Sequence, residues 1–233
     1  MAAGYFGSTA AVYSSAAGTL SILTPQNARS GDVLILAMAA PSSASPTAPS
    51  GWGLLAALPA SDPAATAYFY RRTVAAVEPA LHVFTVGVGL SPWPIGLAML
   101  YRGTDATAAI VASAVTSYAT GTAQPAPSVT LGVYSDTLLA VYYLKDAAAT
   151  ATLTATGQRG VTVHGSAAAG GGSLVVVQRS PEVVGASGAT AGTWSAAAAG
   201  LAATIVIRLI ATIAASSVVP DVPGAIGLTT IGA

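Results

Sequence analysis

The sequence predicts an all-β protein folded as a two-layer sandwich, and three observations support this fold class. Apolar runs bounded by turn residues, at 31–40 and 135–145, fit strands buried on both faces better than they fit helices. Residues 64–74 and 81–88 alternate between two faces, as half-buried strands do. Alanine is abundant, yet no segment keeps an apolar stripe of period 3.6 between helix caps. We therefore expect strands throughout and no long helix.

Turn and breaker residues divide the chain into short strands. Pro25 and Pro41 each end a strand, and the loop at 41–50 is rich in Pro, Ser, Ala and Thr. Glycine and proline punctuate the loop at 120–128, and small residues fill the loop at 187–200. Such spacing is typical of a sandwich or barrel. The predicted strands lie at 9–15, 19–24, 31–40, 51–55, 64–74, 81–88, 95–102, 109–118, 129–133, 136–145, 152–156, 161–164, 174–179 and 203–210.

The order of these signals occurs twice along the chain. The matched segments are 31–32 with 135–136, 70–72 with 177–179, and 97–102 with 203–208. Their offsets are about 104, 107 and 106 residues, which is nearly constant. We interpret this as pseudo-repeats over about 19–103 and 129–210 inside one domain of residues 1–213. Strands of both halves can pair within one sandwich, as two Greek keys do in a jelly roll. The alternative is chance, since apolar strands ending in Arg are common.

Composition limits the classes of function. The 233 residues include no Cys, eight basic and eight acidic residues, and charged residues make up 7% of the chain, against about 25% in ordinary soluble domains. We expect neighbours in an assembly to cover much of this surface; a Ser/Thr/Gly surface on a stable monomer is the alternative. Arg71-Arg72 is the only basic pair, so no nucleic acid partner is expected. The most apolar segment, 201–215, contains Arg208 and is shorter than about 20 residues, so no membrane partner is expected.

No residue set predicts catalysis, a cofactor or a metal site. The only histidines, His82 and His164, lack a placed acid and serine, and no G-x-S-x-G motif occurs. The acidic residues all lie at turns or beside Pro or Gly, and we expect Asp32 and Asp136 to bond turn amides. The run at 170–172 lacks the Lys of a phosphate loop, so it predicts a turn. The protein is therefore expected not to be an enzyme.

Three tryptophans are candidate binding residues. Trp52, Trp93 and Trp194 stand at positions flanked by Gly or Pro or within a loop of small residues. Tryptophans in loops can stack on sugar rings, and lectins commonly use jelly rolls. The alternative is that the three rings fill the ends of the sandwich or an oligomer interface.

The C-terminal segment, residues 214–233, is predicted to be an extended arm. Four Pro and Gly residues between 220 and 227 exclude a regular helix, and Asp221 is its single charge. An apolar extended segment becomes ordered only by burying its side chains. It either folds back on its own sandwich or adds to an edge strand of a neighbouring protein. The residues expected to make these contacts are Val218, Val219, Val222, Ile226, Leu228 and Ile231.

Four short motifs resemble a family of virion proteins. They are GDVL at 31–34, PSGW at 49–52, YRR at 70–72 and LYRG at 100–103. Together they are similar to the jelly-roll virion proteins of tailed bacteriophages, which serve as capsid decoration proteins, head fibres or minor tail components. The resemblance covers about residues 15–210, and its motifs specify strands and turns rather than a site. It implies a concanavalin-like sandwich and a structural role in a virion.

The resemblance, joined to the composition, gives an expected function. The protein is expected to be a non-enzymatic capsid decoration protein and a homo-oligomer. It would be made in the host cytoplasm and bound to the major capsid protein or to other virion proteins, on the capsid exterior or on the tail. One alternative is a module of a head or tail fibre that binds a surface glycan or receptor. Another is a minor tail protein without sugar binding.

Overall fold

The structure is a computed structural model that describes residues 4–9, 12–13, 18–41, 44, 46–61, 65–88, 94–102, 109–132, 136–145, 151–152, 162–169, 172–179, 185–195 and 197–208. Every regular element in these ranges is a β-strand, which confirms the predicted all-β class. The strands are β1 (Gly4–Ser8), β2 (Val12–Tyr13), β3 (Thr19–Leu23), β4 (Val33–Pro41), β5 (Gly53–Ala60), β6 (Ala65–Thr73), β7 (Leu81–Thr85), β8 (Ile95–Arg102), β9 (Ala109–Tyr118), β10 (Thr130–Leu131), β11 (Asp136–Leu144), β12 (Ala151–Thr152), β13 (Thr162–Ala169), β14 (Gly172–Arg179), β15 (Gly185–Ala186), β16 (Thr193–Trp194) and β17 (Gly200–Arg208).

Two large antiparallel sheets form the centre of the molecule. The first main sheet has the order β1-β8-β4-β6-β5, with β2 also paired to β8; the second has the order β13-β14-β11-β17-β9. Three small sheets, β3-β7, β10-β15 and β12-β16, accompany them. Among the described strands, each pairs only with strands of its own half, the first half being residues 4–102 and the second 109–208.

The two halves have the same pairing scheme and the same register. In the first half, Leu34 of the central strand lies opposite Arg72 on one side and Leu100 on the other. In the second half, Leu138 lies opposite Arg179 and Val206. These three positions are separated by the same 104, 107 and 106 residues that the sequence pattern gave. The doubled pattern of the sequence therefore corresponds to a doubled arrangement of strands.

Three apolar cores stack the sheets into four layers. The inner core joins the two main sheets; its members on the central strands are Val33, Ile35, Ala37, Ala39, Leu139, Val141 and Tyr143. The first outer core lies between the first main sheet and the sheet β3-β7; it includes Leu20, Ile22, Leu34, Leu36, Trp52 and Phe84. The second outer core covers the other face of the second main sheet; it includes Val129, Leu131, Leu138, Ala140, Tyr142 and Trp194. The central strands are buried on both faces because a different core covers each face.

The structure differs from the sequence prediction in how the halves combine. The sequence allowed strands of both halves to pair within one sandwich, whereas the described strands of the two halves stack face to face and do not pair. Strand β5 continues to Ala60 through Pro59, because an edge strand tolerates a residue that lacks an N–H. Strand β16 lies inside the predicted loop 187–200 and pairs with β12. The expected C-terminal arm lies outside the described residues.

Two neighbouring tyrosines of β11 point into different cores. The Tyr142 hydroxyl, in the second outer core, donates a hydrogen bond of 2.9 Å to the carbonyl of Thr190. The Tyr143 hydroxyl, in the inner core, has no hydrogen-bond partner. Burial raises the pKa of Tyr143 far above its ordinary value, so the group stays neutral. A neutral hydroxyl that is buried without a partner costs about 1–3 kcal/mol of stability.

We predict that Tyr143→Phe stabilises the protein and that Tyr142→Phe destabilises it. The first substitution keeps the ring and removes the unpaired hydroxyl, so the free energy of unfolding should rise by about 1 kcal/mol and Tm by about 2–4 °C. Tyr142→Phe removes the hydrogen bond to the Thr190 carbonyl, so its free energy of unfolding should fall by about 0.5–1.5 kcal/mol. Denaturant unfolding of both variants checks this. If both substitutions changed the free energy of unfolding in the same direction, the different hydrogen bonding of the two hydroxyls would be contradicted.

Candidate functional site

The two described tryptophans are buried in outer cores. The Trp52 side chain is 8% exposed and packs edge-on against His82 and Phe84, with ring centroids 5.3 Å apart in each pair. The Trp194 side chain is 3% exposed. Stacking on a sugar needs an open ring face, and neither ring presents one, which favours the packing alternative. Trp93 and the arm residues Val218, Val219, Val222, Ile226, Leu228 and Ile231 lie outside the described residues.

Polar contacts between β3, β6, β7 and the turn before β7 form the His82 cluster, made of Thr24, Arg72, Glu78 and His82. Arg72 donates to the Glu78 carboxylate through Nε and through a second nitrogen, the latter 3.3 Å from Oε2. The Ala75 N–H donates to the same Oε2 at 2.6 Å. Glu78 Oε1 lies 3.0 Å from His82 Nε2. The loop from β6 to β7 thus folds its carboxylate back onto the end of β6.

Burial and charge act in opposite directions on this cluster. Burial alone would raise the pKa of Glu78, but hydrogen bonds from Arg72 and Ala75 and the charges of Arg72 and His82 hold it below its ordinary value. Burial lowers the pKa of His82, and the Arg72 charge lowers it further, against the raising effect of Glu78. The carboxylate is therefore kept ionised and the imidazole neutral near pH 7.

The geometry of the cluster does not activate a nucleophile. Thr24 Oγ1 lies 3.1 Å from His82 Nε2, the same nitrogen that contacts Glu78. In a catalytic triad, the base contacts the nucleophile with one nitrogen and the acid with the other. The Thr24 hydroxyl also donates its proton to the carbonyl of Pro79 at 2.6 Å. A proton on Nε2 can serve both oxygens, so the contacts here hold the loop rather than prepare a reaction.

The second half keeps the arginine of this cluster but changes its partners. Arg179 occupies the register position of Arg72 and is buried. It donates to Thr190 Oγ1 at 2.8 Å and to the Ser187 carbonyl at 3.0 Å. Burial lowers the pKa of Arg179. The same backbone position therefore fixes a loop through a carboxylate in one half and through neutral oxygens in the other.

A second ion pair closes the end of the first main sheet. Arg102 donates to both Asp32 oxygens, at 2.9 Å from Nε and 2.8 Å from a terminal nitrogen, and also to the Asn27 carbonyl. This hydrogen bond with Asp32 raises the pKa of Arg102. The Arg29 N–H donates to Asp32 at 2.8 Å, which confirms that this aspartate bonds a turn amide. In the second half, Asp136 lies opposite Arg208 in the ladder, which is the equivalent position.

The sequence pattern does not group the members of the His82 cluster. Their side chains come from β6, β7, the turn before β7 and the end of β3, so no fixed spacing marks them. The one signal in the sequence is the Arg near the end of both β6 and β14, repeated at an offset of 107 residues.

Comparison with protein families, with characterised proteins and with solved structures found no match for this chain. Within the described ranges, no three His, Cys, Asp or Glu side chains are grouped so that they could hold a metal ion. That part of the chain also has no helix of the length and apolar character needed to cross a membrane.

We predict that acid weakens the fold through His82. Its folded-state pKa lies below the unfolded value, so the unfolded state binds more protons once the pH falls below about 6.5. The free energy of unfolding is therefore highest at about pH 7 and declines as the pH falls toward the lowered pKa of His82. Urea unfolding should show that the free energy of unfolding changes less between about pH 7 and pH 5 in His82→Gln than in the wild type. An identical difference in both proteins would show that other groups cause the acid sensitivity.

A second prediction concerns the glycine beside Trp52. Gly51 has φ +85°, and a Cβ placed there would overlap an Arg72 terminal nitrogen. Gly31 has φ +87° but open space around it. Gly31→Ala should cost only the left-handed strain, about 1–2 kcal/mol. Gly51→Ala should cost about 1–3 kcal/mol more, because Arg72 must move away from Ser50 and Glu78. If thermal or urea unfolding showed the same loss of stability in Gly31→Ala and Gly51→Ala, the steric contact with Arg72 would be ruled out.

Proposed function

We propose that the protein is a non-enzymatic structural component of a bacteriophage virion, a decoration protein on the outside of the capsid. The observation that carries this proposal is the pairing order of the strands within each half. Support from the sequence is the likeness of its short motifs to jelly-roll virion proteins. The proposed partners are the major capsid protein and further copies of this chain.

A jelly-roll winding of each half is supported by three of its four strand pairs. In that fold the first strand pairs with the last, the second with the seventh, and the third with the sixth. The first half has these pairs as β1-β8, β3-β7 and β4-β6. The second half has them as β9-β17, β10-β15 and β11-β14. We therefore propose one jelly roll per half, instead of one shared by both halves.

The fourth pair distinguishes these halves from a regular jelly roll. In the first half the fourth strand is reduced to Thr47, which bridges Thr85. In the second half it is the short strand β12, which pairs with β16. The fifth strands, β5 and β13, pair with β6 and β14 and so extend the main sheets. The outer sheets are correspondingly narrow, and the main sheets are wide enough to cover each other.

The scarcity of charge supports a place inside an assembly. Charged residues make up 7% of the chain, and the formal net charge is zero. Such a surface has little protection against association. A neutral surface is also poorly suited to face packaged nucleic acid, which attracts basic proteins. The proposal therefore puts the protein on the outer side of the capsid shell, with the arm of residues 214–233 reaching a neighbour.

We predict that the protein rebinds to particles that lack it. Particles made from a genome with this reading frame deleted should take up the purified protein to a saturable level. Gold-labelled antibody should then mark the heads in electron micrographs. Label on tails would support the minor tail alternative, and the absence of any label would refute the virion role.

Two controls test the specificity of the label and the role of residues 214–233. Antibody absorbed with the purified protein should leave the particles unlabelled. The variant truncated after residue 213 should keep its melting temperature as an isolated protein but bind particles more weakly, if the arm contacts a neighbour. A glycan array that showed saturable binding, together with unlabelled heads, would favour the fibre alternative.

A further inference from the structure

Each half of the molecule has an apolar core that it does not share with the other half. The first outer core is built from first-half residues, and the second outer core is built from second-half residues. Among the described strands, none pairs with a strand of the opposite half. The chain passes from one half to the other once, between Arg102 and Ala109. The halves therefore meet as two separately built bodies, and the inner core is the contact between them.

The inner core has the symmetry of a two-fold interface. Strands β1 and β9 are the equivalent edge strands next to β8 and β17, and β5 and β13 are the equivalent edge strands next to β6 and β14. Across the core, β1 contacts β13 and β5 contacts β9, so exchanging the two halves turns one contact into the other. An interface in which two bodies present the same patch to each other is self-complementary. The inner faces of the halves are thus arranged as the faces of two subunits are.

The inner faces also have the size and chemistry of a specific interface. A sheet of five strands that are about 4.8 Å apart, each about eight residues long at about 3.3 Å per residue, covers about 600 Å². Two such faces bury about 1,200 Å² together, which reaches the range of specific interfaces. Equivalent positions supply apolar side chains on both faces, such as Ile35 with Leu139 and Leu97 with Ala203. The centre of the contact is apolar, as it is between stable subunits.

A hydrogen bond across this core departs from the symmetry. The buried Tyr101 hydroxyl of β8 donates a hydrogen bond of 2.9 Å to Gln178 Oε1 of β14. The equivalent positions are Ile207 and Arg71, by the offsets of 106 and 107 residues. Two second halves packed in the same way would place Gln178 against Ile207, which cannot bond it. Two first halves would place Tyr101 against the charge of Arg71. The bond therefore favours a first half paired with a second half.

We propose that the inner face of each half is a subunit-type interface through which halves of different copies of this chain pair, and that the Tyr101–Gln178 hydrogen bond makes a first half select a second half. The partner of each face is thus a second copy of the chain, and the contacts in the exchanged pair are those already present within one copy. This inference does not rest on the virion role, and its test uses no particles.

Cutting the chain between the halves tests the proposal. A protease site is inserted between Arg102 and Ala109 and is cut in the folded full-length protein. The halves should elute together at the size of the intact chain and keep its circular dichroism spectrum. Cut protein with a tag on the second half is then mixed with isotope-labelled cut protein. Mass spectrometry should find that the tagged second halves recover labelled first halves and no labelled second halves.

A matched control places the same protease site inside one half, between Ser61 and Ala65. This cut separates β5 from β6, and the two pieces share the ladders β5-β6 and β4-β6. Exchange of these pieces requires that main-chain hydrogen bonds of a sheet open, so it should be about tenfold slower or more than exchange of the halves.

Two tyrosine variants test the selecting bond. In the chain cut between the halves, Tyr101→Phe should speed exchange by about two- to tenfold, because it removes a hydrogen bond that only the paired halves make. Tyr142→Phe removes a hydrogen bond of similar length inside the second half and should leave the exchange rate unchanged. Gln178→Leu removes the acceptor instead of the donor and provides the same test if Tyr101→Phe does not fold.

Four outcomes would overturn the proposal. The first is a cut chain that aggregates or loses its circular dichroism spectrum, since the halves would then need the covalent link. The second is exchange of the halves that is no faster than exchange of the control pieces. The third is recovery of labelled second halves by tagged second halves, and the fourth is a Tyr142→Phe variant that exchanges as fast as Tyr101→Phe.

Discussion

Burial of apolar surface on both faces of the central strands is the constraint on which the rest of the structure depends. Strands β4 and β11 are buried along the length the structure describes, on alternating sides that belong to different cores. A main sheet with two apolar faces needs two covers. Each half supplies one cover itself, through its outer sheet and loops, and obtains the other from the main sheet of the opposite half. Each fully buried Leu or Ile contributes about 1.5–3 kcal/mol, which is why the halves stack although they share no described ladder.

The sequence was sufficient to predict the strands and their doubling, but not the layers. Apolar runs such as 31–40 indicate that both faces of a strand are covered, yet they carry no information about what covers each face. The constant offsets predicted equivalent strands, and the registers of Leu34 and Leu138 agree with them. Whether equivalent strands pair or stack depends on long-range topology, which periodicity does not encode. The sequence therefore left pairing between the halves open, and the described strands of the two halves stack instead.

At the candidate sites, too, the type of a residue does not determine what surrounds it in the fold. Sugar stacking and packing were both open for Trp52 from its glycine neighbours, and the structure makes this ring part of the first outer core. Arg72 and Arg179 occupy one register position and have different partners, because the loops that supply those partners differ in sequence. Strand ends are therefore predictable from the doubled pattern, while the polar contacts that fix the loops are not.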